Sequence, residues 1–370
     1  MNKAIVAIVI SFFLFSGCIG AIPIDEENTS DAVPVQESDG VLDILTYDAS
    51  GLSEKLLSDF TLKTGYETNL IKVGDAGSVL NTMAQTRQSP QADLMLGLDN
   101  TYLGEAIEMG LLQSHFSNHG ELTESVSLAY QGSLATPFDH GYVCLNYDSS
   151  IVDGENVSIP TSLWNLTEEE WNGKVAIPSP ISSSPGRAFL IATVDYFAND
   201  EDSNSDYTDW WSAMTENDMI VTSGWSEAYE THYTGGYGPW TDGYIGDANM
   251  VISYCHSPGV EAYFGDNVTN SAALDLPRAS FHQVEYAGII AGAGDSQAAG
   301  AFIDYLLSEE VNTQMPDQNY MYSALKGHDL PESSGYRYHS IIPTQSAEIS
   351  PSEISQNLEQ WLIEWSYATA

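Results

Sequence analysis

The chain has 370 residues, of which 52 are Asp or Glu and 10 are Lys or Arg, for a formal net charge of -42. So acidic a surface repels nucleic acid and anionic lipid, which excludes both as partners of the folded body; it reads as adaptation to a salty medium that screens the self-repulsion. At 43% hydrophobic and 11% aromatic residues, the body still has material for a real core.

Lys3 precedes an apolar run over 4–15 that closes on Ser16-Gly17-Cys18. A basic start, a short apolar stretch and small residues at the cut are the parts of a secretory signal. The run is shorter than the roughly 20 residues that a bilayer-spanning helix needs. A Cys straight after Ser-Gly resembles the lipobox of prokaryotic lipoproteins, which predicts a signal peptide over 1–17 and lipidation of Cys18. One acyl chain binds membranes only marginally, so a second chain or contact is expected. Residues 18–40 are rich in Asp, Glu, Ser and Pro and predict a disordered acidic tether.

Beyond the tether, strand and helix signals alternate. The spacing predicts strands over 42–47, 67–73 and 92–98, with helices over 53–64, 77–87 and 102–109 between and after them. The pattern then resumes with strands over 141–147 and 174–177, a helix over 186–197, and strands over 220–222 and 250–254 flanking a helical 225–230. A strand over 284–291, a helix over 296–307 and an amphipathic terminal helix over 352–367 complete it. Trp361 and Trp365 on that last helix read as core residues. Strands separated by helices argue for an α/β architecture. Two such runs suggest two lobes: 41–139 as the first part of lobe 1, 140–283 as lobe 2, and 284–370 returning to lobe 1 with the C-terminal helices. The crossings near 139–147 and Val284 would form the hinge.

Several motifs compete for the chemistry. Gly224-Trp225-Ser226-Glu227-Ala228 approaches a nucleophile elbow, but its second Gly is Ala, and His256 and His282 are unassigned partners at best. His115 and His119 have helical metal-ligand spacing inside a polar stretch without an evident third ligand. Cys144 and Cys255 either pair outside the cell or remain buried thiols. Polar and aromatic residues at predicted strand ends are more telling: Tyr47-Asp48, Asp75-Ala76-Gly77, Asp99-Asn100, Trp225 and Tyr254. In an α/β fold such positions converge on the cleft. Rings beside carboxylates suit an organic cation. Ser182-Ser183-Ser184-Pro185-Gly186 opens a helix, where free N–H groups suit an anion or a neutral polar group.

On these residues the chain resembles the thiamine-binding substrate-binding proteins of ABC transporters. The matching stretches are Leu45-Thr46-Tyr47-Asp48, Gly97-Leu98-Asp99-Asn100, Pro137-Phe138-Asp139-His140-Gly141-Tyr142, Gly224-Trp225-Ser226-Glu227-Ala228-Tyr229, Ser253-Tyr254 with Ser257-Pro258, and Asn319-Tyr320-Met321-Tyr322. They run in family order across nearly all of 42–366. The resemblance implies a two-lobed periplasmic-binding-protein fold of class II, a non-enzymatic receptor, and a permease partner. The ligand it implies is thiamine, thiamine monophosphate or thiamine diphosphate. The protein would be a monomer tethered outside the cytoplasmic membrane, and would need no cofactor or metal. It further implies ligand contacts at Tyr47, Asp75, Ala76, Ser183, Ser184, Trp225, Tyr254, Cys255, His256, Ser257, Pro258 and Tyr320. Here Tyr320 stands where the family pattern has a Trp, Ala76 replaces a Gly, and Val260 stands where a ring is expected. The segment 231–248, with Tyr233, Tyr237, Trp240 and Tyr244, is longer than the pattern and is expected to lie over the cleft and supply that ring. Arg187 is a weaker candidate for a phosphate. The rivals of the same fold are ferric-ion and polyamine receptors; a hydrolase using Ser226 is the rival from another class.

Overall fold

The computed structural model describes residues 40–129, 132–200 and 205–370. The expected signal peptide, Cys18 and all of the tether but Gly40 lie outside them.

The first three strands are parallel. β1 (Val41–Thr46) leads to α1 (Glu54–Thr64), β2 (Glu67–Lys72), α2 (Ala76–Thr86) and β3 (Leu94–Asp99). α1 forms where the sequence supplies both ends: Ser53 Oγ accepts the Leu56 N–H, and Gly65 closes the helix in the left-handed region at φ 85°. β2 is the half-exposed edge of the sheet, whereas β3 is buried along its length and lies on the other side of β1. α3 (Leu103–Glu108), β4 (Leu112–Gln113) and α4 (Glu124–Ala129) then lead into the long β5 (Thr136–Asp148).

A second layered unit follows: β6 (Val175–Pro178), α5 (Ser184–Ala198), α6 (Tyr207–Glu216), β7 (Ile220–Thr222), β8 (Met250–Tyr254), α7 (Ser257–Phe264) and β9 (Ser271–Leu274). β10 (Phe281–Ile290) returns antiparallel to β5, and α8 (Ser296–Leu306) packs behind it. The segment expected to be helical at 225–230 is helical, and from Glu227 to His232 it takes the wider π-helical form. That geometry is favoured at functional sites.

The sheet order is β2-β1-β3-β10-β5-β8-β6-β7. β3 pairs with β10, and the distal half of β5 pairs with β8. Two long central strands therefore join two smaller sheets, the two-lobed arrangement of class II periplasmic binding proteins. Each side has its own core. Leu45, Val79, Met95 and Tyr286 fill one face of the first sheet, and Ile44, Phe60, Leu96 and Phe302 the other. The second core is built on Trp171, Phe189, Trp210, Trp211 and Ile252. The terminal helix (Pro351–Ala368) buries Trp361 and Trp365 in that second core, with Trp365 edge-on to Trp211 at 6.0 Å.

Cys144 and Cys255 form a disulfide with a Cα–Cα distance of 5.0 Å. It closes a 111-residue separation, so it stabilises the fold by about 4–5 kcal/mol in the chain-entropy picture. It also ties the turn after β8 to β5.

Candidate functional site

A cavity of about 420 Å³ opens where the strand ends of the two sheets meet. Of the expected contacts, Tyr47, Asp75, Ala76, Ser184 and Trp225 line it, as do Tyr254, His256, Ser257 and Tyr320. Ser183, Cys255 and Pro258 do not. Ser183 is fully buried at the N-cap of α5, Cys255 is buried in the disulfide, and Pro258 sits inside the first turn of α7.

Asp75 is the N-cap of α2, and three N–H groups converge on it. Its Oδ1 accepts from Ala76 at 2.7 Å and Ser184 at 3.2 Å, and its Oδ2 accepts from Trp225 at 3.1 Å. The last two come from the opposite lobe, at the start of α5 and of the π-helical turn. Positive helix ends and a carboxylate attract one another, so this side chain draws the lobes together. Around it, Gly77 N–H donates to Ser182 O at 3.0 Å and Tyr102 OH to Ile181 O at 3.2 Å. A Cβ at Gly77 would lie 2.8 Å from Ser182 O, so this approach requires glycine. Ser184 Oγ donates to Asp99. Ser184 thus spends both its N–H and its hydroxyl on Asp75 and Asp99, Ser182 Oγ donates to Ser223 O at 2.6 Å, and Ser183 Oγ has no hydrogen-bond partner among the described residues. Arg187 is buried over the Tyr102 ring and paired with Glu105 at 2.6 Å, and it does not line the cavity.

The aromatic wall is built mainly from the second lobe, with Tyr320 added from the segment that follows α8. Trp225 stacks on Tyr229 at 4.9 Å and 15°, and its Nε1–H donates to Ser253 Oγ at 2.8 Å. Ser257 Oγ accepts the Tyr254 N–H at 3.2 Å, holding the turn that carries both. Tyr254 OH accepts from Gln283 at 3.0 Å. His256 Nε2 lies 2.6 Å from Tyr320 O, a carbonyl that only accepts, so the ring proton sits on Nε2. Burial pushes this imidazole down to about 4, so it is neutral at physiological pH. Tyr320 has φ 58°, a strained conformation for a residue with a side chain, held in place by that bond and by Phe264 edge-on at 5.7 Å.

The opposite wall is acidic. Tyr47 OH donates to Glu285 at 3.0 Å and accepts from Asn319 at 2.9 Å. Its ring lies against Gly97, where φ is 95° and a Cβ would come within 2.2 Å of it. Asp48 is raised above the usual carboxylate range by burial and then by Asp75. Glu261, facing the cavity from α7, accepts from Tyr237 N–H at 3.2 Å, and burial pushes it up to about 7. Among the described residues no Lys or Arg lines this cavity.

Sequence reasoning missed Glu285, Glu261, Asn319, Tyr229 and Phe264. Glu285 had a signal, a lone acid inside the predicted strand 284–291. Phe264 lies one helical turn beyond Val260, 65% exposed at the rim, so a ring near the expected place comes from α7 itself. Of the loop 231–248, Tyr237 reaches the cavity. Tyr233 is buried beneath it, and Trp240 is 89% exposed. Ser226 Oγ lies 3.4 Å from Asp48, while His256 and His282 are bonded to Tyr320 O and His140. His115 pairs with Asp304 at 3.1 Å.

Comparison with known proteins agrees with this architecture. A thiamine-binding periplasmic protein of Escherichia coli (strain K12) is 26% identical over 336 residues, 89% of this chain and 94% of the relative. A solved periplasmic thiamin binding protein superposes with a TM-score of 0.73 at 26% identity, covering 89% of this chain and 96% of that one. Iron-bound HitA from Pseudomonas aeruginosa superposes at 0.64 with 16% identity, over 89% and 99% of the two chains, a likeness of fold alone. The family model described as bacterial extracellular solute-binding protein matches residues 55–332, and the chain belongs to that family.

Proposed function

We propose that this protein captures thiamine outside the cytoplasmic membrane and delivers it to an ABC transporter. The observation that carries the reading is the pairing of walls in one cavity. Trp225, Tyr254 and Tyr320 offer ring faces, and Asp75, Glu261 and Glu285 offer carboxyl groups with no lining Lys or Arg to neutralise them. Thiamine is a flat pyrimidine joined to a permanently cationic thiazolium, which suits ring faces and negative charge together. The relatives that carry thiamine in their names support the same ligand.

In this reading the lobes close over the ligand about β5 and β10, and closure creates the surface that a permease reads. Asp75 serves closure as much as charge, because its oxygens hold both lobes. Ser183 and Cys255 support the wall from behind. Cys18 would carry the lipid that keeps a monomeric receptor near its transporter.

The test is calorimetry with thiamine, its monophosphate and diphosphate, spermidine and ferric citrate. Tight, saturable binding of thiamine with no response to spermidine or ferric citrate is the expected result. Binding of either rival without thiamine would overturn the specificity and leave the receptor class standing.

A further inference from the structure

Two acids sit side by side in the hinge. Asp139 on β5 and Glu285 on β10 are direct partners in the antiparallel register, where side chains on one face stand about 5 Å apart. Both are buried, at 0% and 3% exposure. Neither is bonded to a Lys or Arg among the described residues. Polar neutral groups join them instead. Asn319 Nδ2–H donates to Asp139 Oδ2 at 2.8 Å and to Tyr47 OH at 2.9 Å, and Tyr47 OH donates to Glu285 Oε2 at 3.0 Å. Glu285 Oε1 accepts from Gln283 at 3.3 Å. Asp139 Oδ1 has no hydrogen-bond partner among the described residues. A bare oxygen on a buried, ionised carboxylate is costly; on a protonated carboxyl it is tolerable.

We propose that Asp139 and Glu285 share a proton before ligand arrives, and that a fixed organic cation entering the cavity expels it, with Glu285 becoming the ligand's counter-ion. The inference rests on the thiamine reading above. Glu285 lines the cavity and Asp139 stands behind it, so the ligand's charge acts on the first and through it on the second.

The surroundings favour a held proton. The residue after β1 contributes the phenol of Tyr47, the N-cap of α2 the carboxylate of Asp75, and β3 that of Asp99. β8 contributes Tyr254, β11 (Tyr322–Ser323) places Ser323 beside Asp139, and His140 follows on β5. The charged members of this set are acids. Burial comes first and like charge second in raising Glu285, and burial raises Asp139 in the same direction. His140 is pushed down by burial and by the neighbouring His282 and His256, so it stays neutral and supplies no counter-charge. A permanent cation reverses the balance: the pair ionises, the proton passes to the buffer, and one positive charge replaces another inside the cavity.

The experiment is calorimetry of the full-length protein with thiamine at several pH values, in two buffers of different ionisation enthalpy. The neutral isostere 3-deazathiamine, which keeps the pyrimidine and replaces the thiazolium by thiophene, is the control. About one proton released per thiamine, and affinity rising up to about tenfold per pH unit while the pair holds its proton, are expected. Deazathiamine should release none. Glu285→Gln should weaken thiamine and abolish the release. Asp139→Asn, a second variant should the first not fold, should still bind thiamine with release well below one. Thiamine binding without proton release in the unaltered protein overturns the inference and leaves the receptor reading intact. A full proton released by Asp139→Asn overturns the sharing. Failure of thiamine to bind at any pH overturns both.

Discussion

The two walls of the cavity are made differently. The aromatic wall is carried mainly on the turns of the second lobe, with Trp225 just ahead of the π-helical turn, Tyr254 at a strand end and His256 ahead of α7, and Tyr320 joins them from the later segment. The main acidic wall is carried by the first lobe and the hinge, where Tyr47, Asp75 and Glu285 are each fixed by hydrogen bonds that cross between elements. Glu261, on α7, is the acid that belongs to the ring side. On the proposed function, the rings would set which shape fits and the acids which charge is retained, and a flat cation would be held between both walls.

Substitutions can break this division in graded steps. Trp225→Ala removes a ring face and its stack on Tyr229; a desolvated cation–ring contact contributes about 2 kcal/mol, so thiamine affinity should fall about 30-fold in calorimetry. An unchanged affinity would remove the aromatic wall from the account. Asp75→Asn keeps the shape but sets an NH₂ group against N–H donors from α5 and the π-helical turn. That should cost about 1.4 kcal/mol, roughly tenfold in affinity, and solution scattering should register a more open protein.

Glu261→Gln sharpens the comparison through pH. Burial raises this carboxyl to about 7, above its unfolded value. Its folded state is therefore favoured below the unfolded value, and that advantage is lost as pH rises through 7. The Gln variant should gain about 1–3 kcal/mol of ligand-free stability at pH 8 relative to pH 5 in chemical denaturation, while binding thiamine about threefold more weakly at pH 8. The smallest effect belongs to Ser226→Ala. Its hydroxyl touches only the edge of Asp48 at 3.4 Å, so affinity should stay within about twofold. A large loss there would revive Ser226 as a functional group.

Much of the frame was legible. Caps such as Ser53 and Gly65 and the apolar run 94–98 of β3 announced their elements, and the Trp225 motif and Tyr254 fell at strand ends that do converge. What escaped depends on contacts between distant segments. Glu285 reads as a lone acid in a strand until Asp139 is placed beside it by the register of β5 and β10. Arg187 looked free for a phosphate, yet folding sets it over Tyr102 and against Glu105. The pairing of Cys144 with Cys255 was open in the sequence and follows from the placement of β8 against β5. The ring expected near Val260 came from Phe264, because one turn of α7 returns a side chain to the same face.

A crystal structure grown with thiamine tests the central claim most directly. Density for one ligand is expected in this cavity, its rings against Trp225, Tyr254 or Tyr320 and its thiazolium facing Glu285. Thiamine lying elsewhere, or with its cationic ring turned away from every carboxyl group, would contradict it.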